Sequence, residues 1–308
     1  MHAIATYDLC KSYGPKRALC NLNLTVPTGR RFGFLGPNGA GKTTTIRILL
    51  GLLRATCGRA ELLGCDPWRD GPRSRTQVGY LPGDVRFYGG KTGRATLELF
   101  ASARGVNVRA EVARLATRLD LDLDRRVRDY SRGMKQKLGL IQALMHRPAV
   151  LILDEPTISL DPLMRTVLYG ELRQLAAEGH TVLFSSHTLS EVEELCDEVA
   201  ILRDGRLVEQ ERIEVLRQRA VRRVEVAFAP QRAPSDPPPG LRIEHCRDGR
   251  LSGTWSGPPE ALLTWLARGG VRDVTIAPPA LEDLFLAYYQ DGETAEAQRA
   301  QRTQSSNE

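Results

Sequence analysis

No long apolar run occurs in this chain. The longest uninterrupted apolar stretches, such as Val150–Leu153, are strand-sized, far short of the roughly 18–20 residues that a membrane-spanning helix requires. The chain is therefore not expected to cross a membrane by itself. A basic segment followed by an apolar one is missing at the N-terminus, so no signal peptide is expected. No C-x-x-C pair is present: the six cysteines stand at positions 10, 20, 57, 65, 196 and 246. That spacing disfavours a zinc site and, without an export signal, predicts reduced thiols rather than a disulfide framework. There is no internal repeat. Charge of one sign is only slightly in excess, 43 basic against 37 acidic residues for a net +6. The arginines are scattered among acids, which reads as a mixed, solvated surface, and no specific nucleic-acid partner is expected.

What remains is a globular composition, 42% hydrophobic and 26% charged over 308 residues, with a mean hydropathy of −0.29. Length predicts one large or two ordinary domains. Ile4–Leu9, the Leu22, Leu24 and Val26 set, and Arg31–Leu35 read as strands, and Thr43–Leu53 as a helix with Ile46, Leu49, Leu50 and Leu53 at helical spacing. Thr96–Arg104, Val108–Leu119 and Met134–Met145 carry helical patterns with few strand signals between them, an all-helical insert over about residues 84–145. Alternation then resumes: strand Val150–Leu153, helix Leu163–Glu178, strand Thr181–Phe184, helix Leu189–Cys196, strand Val199–Leu202. Such alternation implies a parallel sheet with helices on its faces. Beyond about residue 217 a small α+β module is expected: strands Val221–Phe228, Leu241–Cys246, Arg250–Trp255 and Val271–Ile276, helices Pro259–Ala267 and Ala280–Tyr289, and a proline-rich connection at Pro230–Gly240. Residues 291–308 are polar and read as a disordered tail. The expected domains are 1–216, 217–290 and that tail.

The strongest chemical signal is Gly36-Pro37-Asn38-Gly39-Ala40-Gly41-Lys42-Thr43-Thr44. It contains G-x-x-x-x-G-K-T, the phosphate-binding P-loop, a pattern that ordinary composition produces in about one chain in a hundred of this length. Here it follows a predicted strand and opens a predicted helix, as the motif requires. Glycines lacking a Cβ let the backbone wrap a phosphate, successive N–H groups form an anion nest, and the helix aims its positive end at the same point. Lys42 would face the β- and γ-phosphates, and the Thr43 hydroxyl would ligate Mg²⁺. The second signal is Val150-Leu151-Ile152-Leu153-Asp154-Glu155, a buried strand ending in two carboxylates, where α/β sheets place their ligands. Asp154 would hold Mg²⁺ through water, and Glu155 would polarise an attacking water.

The order of P-loop, helical insert, Y-S-R-G-M-K-Q, L-I-L-D-E-P-T, S-L-D and S-S-H resembles the ATP-binding subunit of an ABC transporter over about residues 3–215. The later L-E-D-L-F-L-A-Y-Y resembles the C-terminal extension of some bacterial export ATPases. The resemblance implies a P-loop NTPase fold: a parallel sheet core, an antiparallel β part, an all-helical insert and the small α+β module. It implies that Tyr13 stacks on adenine. It implies that Ser131 and Gly133, in the signature loop, cap the γ-phosphate held by an opposite subunit, with Ser131 suited as a helix N-cap. Asp161 would lie in the loop between two subunits, and His187 would contact the γ-phosphate and the attacking water. The implied cofactors are ATP and Mg²⁺. The implied partners are a second copy or a paired ATPase subunit and a separately encoded integral-membrane permease, at the cytoplasmic face of the membrane, with export favoured. The alternative is a soluble ABC-type ATPase acting on nucleic acid or ribosomes, or a regulatory ATPase. Three residues depart from the family pattern. Gly83 stands where glutamine or glutamate is usual, its place to be filled by Asp84 or by a water. Arg132 replaces the first signature glycine. Ser159 replaces a glycine of the inter-subunit loop.

Overall fold

The computed structural model describes residues 2–219, 221–229 and 235–277. After Ile213 the chain divides into two compact units. The first contains β1 (His2–Tyr13), β2 (Lys16–Pro27), β3 (Arg31–Leu35), α1 (Lys42–Leu49), β4 (Cys57–Leu62), α2 (Gly71–Arg75), β5 (Val78–Leu81), α3 (Gly93–Arg104), α4 (Arg109–Arg118), α5 (Arg132–Leu144), β6 (Val150–Asp154), α6 (Pro162–Ala177), β7 (Thr181–Ser186), α7 (Leu189–Leu195), β8 (Glu198–Arg203) and β9 (Arg206–Arg212).

Its larger sheet runs β5-β6-β7-β3-β8-β9. The first five strands are parallel and β9 is antiparallel at the edge. Val150–Leu153 and Val182–Phe184 have no exposed surface, which explains their unbroken apolar runs: a strand covered on both faces has no polar side to alternate with. A second sheet, β2-β1-β4, is antiparallel throughout. One face of α1, carrying Ile46 and Leu49, packs against β2, β4 and β6. These residues share a single core with Phe32, Phe34, Leu22, Leu24, Ile152 and Leu183.

Two elements differ from expectation. α1 stops at Leu49, one turn before the expected end at Leu53, because Gly51 turns the chain at φ 62° with the Pro67 carbonyl against it. Val78–Leu81, for which no strand is expected from the sequence, forms β5. Between β5 and β6 the described residues hold α3, α4, α5 and a short 3₁₀ turn at Val127–Asp129. α4 is fastened to α6 by ions: Arg114 and Arg118 both bond Glu171, whose side chain is buried.

His146 follows α5 and places its Nε2 3.2 Å from the Val78 carbonyl. Burial, then the charge of Arg104, pushes it down to about 4 from 6.5. Above pH 6.5 it is neutral both folded and unfolded. Below that, the unfolded chain takes a proton that the folded chain refuses. Unfolding stability should therefore drop between pH 6.5 and 4 by about 1–2 kcal/mol, allowing for the partial exposure of the ring. His146→Gln should lack this component. Urea melts of both proteins across that window measure the difference.

The second unit contains α8 (Ile213–Arg219), β10 (Arg222–Phe228), β11 (Leu241–Arg247), β12 (Arg250–Trp255), α9 (Pro259–Ala267) and β13 (Val271–Ile276). Its strands form one antiparallel sheet, β11-β12-β10-β13. Val224, Val226, Phe228, Leu251 and Trp255 on its strands bury against Leu262, Trp265 and Leu266 of α9, and Phe228 meets Trp265 edge to face at 6.0 Å. The expected helix Ala280–Tyr289 and tail 291–308 lie outside the described residues, as do residues 230–234 of the proline-rich connection.

Candidate functional site

Strand order builds the site. β6, β7 and β3 are adjacent and parallel, with Asp154 beside Ser185 and Leu35 beside Ser186. The segments leaving their carboxyl ends, which carry Gly36–Thr44, Glu155 and His187, therefore emerge side by side. Gly36 must be glycine because a Cβ there would stand 2.5 Å from the Leu202 carbonyl oxygen. Gly41 enters α1 at φ 106°, against Leu19 and the Ala18 carbonyl, a conformation that L side chains avoid.

Lys42 is buried, its ammonium donating to the Gly36 and Pro37 carbonyls and lying 3.5 Å from Glu155 Oε1. Thr43 Oγ1 donates to Asp154 Oδ2 at 2.8 Å, and Ser185 Oγ donates to Asp154 Oδ1 at 2.6 Å. Asp154 itself is 2% exposed. Burial and the charge of Asp154 together push the nearby Tyr80 up to about 12. Glu155 sits at φ 52°, and its N–H is held by the carbonyl and the hydroxyl of Ser185. His187 Nδ1 meets Glu155 Oε2 at 2.8 Å. A carboxylate can only accept, so Nδ1 carries the proton. Glu155 Oε1 is buried and accepts no hydrogen bond, with only the Lys42 charge beside it.

That cavity, of about 570 Å³, is lined among others by Tyr13, Pro37, Asn38, Gly39, Thr44 and Gly83. Tyr13 is 47% exposed, which excludes a core role, with Lys11 Nζ 5.2 Å from its ring centroid. Ala40 is buried behind the loop and spends its N–H on the Pro37 carbonyl. Ser131, Gly133 and Asp161 do not line this cavity. Ser131 caps α5, accepting from the Met134 N–H, and Asp161 caps α6, accepting from the Met164 N–H. Gly133 has a local reason to lack a Cβ, which would lie 2.8 Å from the Ser159 carbonyl. Ser159 holds φ 66°, a left-handed position that favours the glycine it replaces.

Gly83 borders Asp154: a Cβ there would find Asp154 Oδ2 at 3.7 Å, in ordinary contact. Asp84 does not substitute for the missing side chain. It is exposed and paired with Arg86 at 2.7 Å, outside the cavity.

Sequence reasoning passed over Ser185, which ties Asp154 to Glu155, and Lys16 and Arg47, which add positive charge to the cavity wall. The first carried a signal, a hydroxyl at the end of a buried strand. The two cations carried none.

Thr43 and Asp154 offer one hydroxyl and one carboxylate. That set suits Mg²⁺, which takes few protein oxygens and completes its shell with water and phosphate. The buried Lys42 and the glycine cradle suit a polyphosphate, and the carboxylate beside them suits a water attacking it.

Fold and site together define a P-loop ATPase. Residues 19–158 match the family described as ABC transporter. A bacitracin transport ATP-binding protein, BcrA, of Bacillus licheniformis is 37% identical over 231 residues, covering 74% of this chain and 76% of the relative. A Nod factor export ATP-binding protein I of Rhizobium meliloti (strain 1021) is 34% identical over 300 residues, 92% of this chain and 87% of that protein. A solved ATP-binding subunit of an ABC transporter superposes with a TM-score of 0.66 at 31% identity, over 70% of this chain and 92% of its own. The chain belongs to the ABC transporter ATP-binding family and is an ATPase.

Proposed function

We propose that the protein is the motor subunit of an ABC exporter, binding Mg-ATP and hydrolysing it to drive a separate membrane permease. The observation that carries this reading is the convergence of Lys42, Thr43–Asp154 and Glu155–His187 at adjacent strand ends. Phosphoryl transfer needs positioning and charge neutralisation more than covalent chemistry, and this cluster is built for both. The P-loop N–H groups of Gly39 and Gly41–Thr44 and the Lys42 ammonium hold the β- and γ-phosphates. Thr43 and Asp154 hold Mg²⁺, which supplies charge neutralisation when bound. Oε1 of Glu155 accepts a proton from the attacking water, and His187, oriented by Oε2, presents its Nε2 edge toward the γ-phosphate. Tyr13 stacks on the base.

Ser131, Gly133 and Asp161 stand apart from this cavity, which fits a role on the nucleotide of a second copy in a face-to-face dimer. The unit beginning at residue 214 is assigned to dimer pairing or partner docking. Among the described residues no helix is long and apolar enough to span a membrane, so transport requires a membrane partner, with this subunit at the cytoplasmic face. Export is supported by the Nod factor relative, whose likeness runs through the second unit as well.

The test is purification of the tagged chain from detergent-solubilised membranes, followed by ATPase assay with and without Mg²⁺. Expected are a stoichiometric integral-membrane partner and Mg²⁺-dependent turnover. Active enzyme recovered only from the soluble fraction, with no membrane partner, removes the transport reading and leaves the ATPase.

A further inference from the structure

Two of the six cysteines face each other across a β-ladder. Cys10 on β1 and Cys57 on β4 are register partners in an antiparallel pair. Such partners have Cα atoms about 4.5–5.5 Å apart, inside the window that a disulfide spans without backbone movement. The ladder is irregular just there. Its register shifts between Tyr7 and Cys10, Asp8 adopts φ 45°, and Gly58 adopts φ 75° with its α-carbon against the Asp8 carbonyl. Bulges re-aim side chains. The Cys10 thiol donates to Asn21 Oδ1 at 3.0 Å and to the Asp8 carbonyl at 3.4 Å and accepts the Asn21 N–H at 3.4 Å, bonds that a cross-link to Cys57 would exchange. Both cysteines are free; Cys57 is exposed and Cys10 half-buried.

We propose that Cys10 and Cys57 form a reversible dithiol–disulfide pair, a site of oxidative modification by a peroxide. The Cys57 thiolate attacks one peroxide oxygen, and with one proton the other oxygen leaves as water, so Cys57 becomes a sulfenic acid. The Cys10 sulfur then attacks the Cys57 sulfur. The S–S bond forms, the S–O bond breaks, and hydroxide takes the Cys10 proton to leave as a second water. Two thiols lose two electrons and two protons, and one peroxide becomes two waters.

Cys57 is raised above the ordinary thiol range first by the neighbouring Cys10 thiol and then by slight burial, with Arg17 opposing and Asp8 adding. The facing register of the two residues is what places the sulfurs on neighbouring strands. The raised value also keeps the thiolate fraction small, so the pair stays reduced until oxidant rises, and the reaction accelerates with pH. The cross-link would tie to β4 the strand end that carries Lys11 and Tyr13. The other cysteines lack this arrangement: Cys196 is buried and pushed far up by that burial, Cys246 and Cys65 pair with leucines, and Cys20 faces no cysteine in its ladder.

The proposal stands apart from the nucleotide reading, and its readout does not involve ATP. The full-length protein is treated with hydrogen peroxide under native conditions, alkylated, digested without reductant and analysed by mass spectrometry. Expected is a Cys10–Cys57 linked peptide pair two hydrogens lighter than the separate thiol peptides. Two titratable thiols should be lost and then regained with dithiothreitol, the protein should remain monomeric on a non-reducing gel, and linkage should form faster at pH 8.5 than at pH 7. Cys20→Ser should still form the link, and Cys57→Ser should not. Retention of all six thiols, accumulation of Cys57 sulfinic acid without linkage, or linkage through Cys20 overturns it.

Discussion

Glu155→Gln should cut ATP turnover by about 10²-fold or more, the range of a lost general base, while leaving nucleotide binding intact. The geometry separates the two effects. Oε2 is committed to His187, and an amide oxygen there can still accept the Nδ1 proton, so the ring keeps its place. Oε1 is the buried oxygen with no donor, and its basicity is what the substitution removes. The carboxylate also lies 3.5 Å from Lys42. Removing an anion beside the cation that faces the phosphates takes away a like-charge repulsion, so affinity is retained or rises. The ATP-bound form should accumulate as a dimer on size exclusion, because it closes and does not turn over. Steady-state ATPase rates with calorimetric ATP titration check both halves. Turnover at the wild-type rate assigns the water-activating role elsewhere; loss of binding together with turnover makes Glu155 a structural partner of Lys42.

The chemistry of the site was legible where a local pattern dictates it. The P-loop needs a preceding strand and a following helix, and β3 and α1 are both there. Val150–Asp154 is fully buried, as four apolar residues before two carboxylates imply. Ser131 caps its helix as a hydroxyl ahead of a helical run should. Strand order was not legible. Thr43 and Asp154 are 111 positions apart, and only the placement of β7 between β6 and β3 makes them neighbours. β5 was passed over because it is short and contains Gly79, whose reason is tertiary: a Cβ there would meet the Ala143 carbonyl at 2.2 Å. β9 reads R-L-V-E-Q-E-R, with little alternation, because an edge strand carries polar residues that a central strand cannot. The left-handed backbones at Glu155 and Ser159 leave no mark in composition, since neither residue type is prone to them. Of the two substitutes for the missing Gly83 side chain, Asp84 or a water, Asp84 points elsewhere, because proximity in sequence said nothing about direction and the exposed Arg86 supplied a closer partner.

Lys42→Ala should weaken ATP binding by at least about 2–3 kcal/mol, the scale of a charge-assisted hydrogen bond, which is roughly 30- to 150-fold in Kd. Lys42 is 6% exposed, so its charge acts in a setting that water screens poorly. Its ammonium donates to two loop carbonyls, Gly36 and Pro37, and lies beside Glu155 at the end of β6. A polyphosphate entering the cradle exchanges those neutral acceptors for anionic oxygens, which is the source of the expected affinity. Alanine removes the donor and leaves Glu155 without its cation, so the carboxylate then repels the incoming phosphates and the loss exceeds that of the hydrogen bond alone. The substitution also leaves two loop carbonyls without a partner, so a thermal melt of the variant must accompany the titration. A cooperative melt with ATP affinity reduced on this scale places Lys42 at the phosphates, whereas a cooperative melt with unchanged affinity would mean that residues 36–44 do not cradle them.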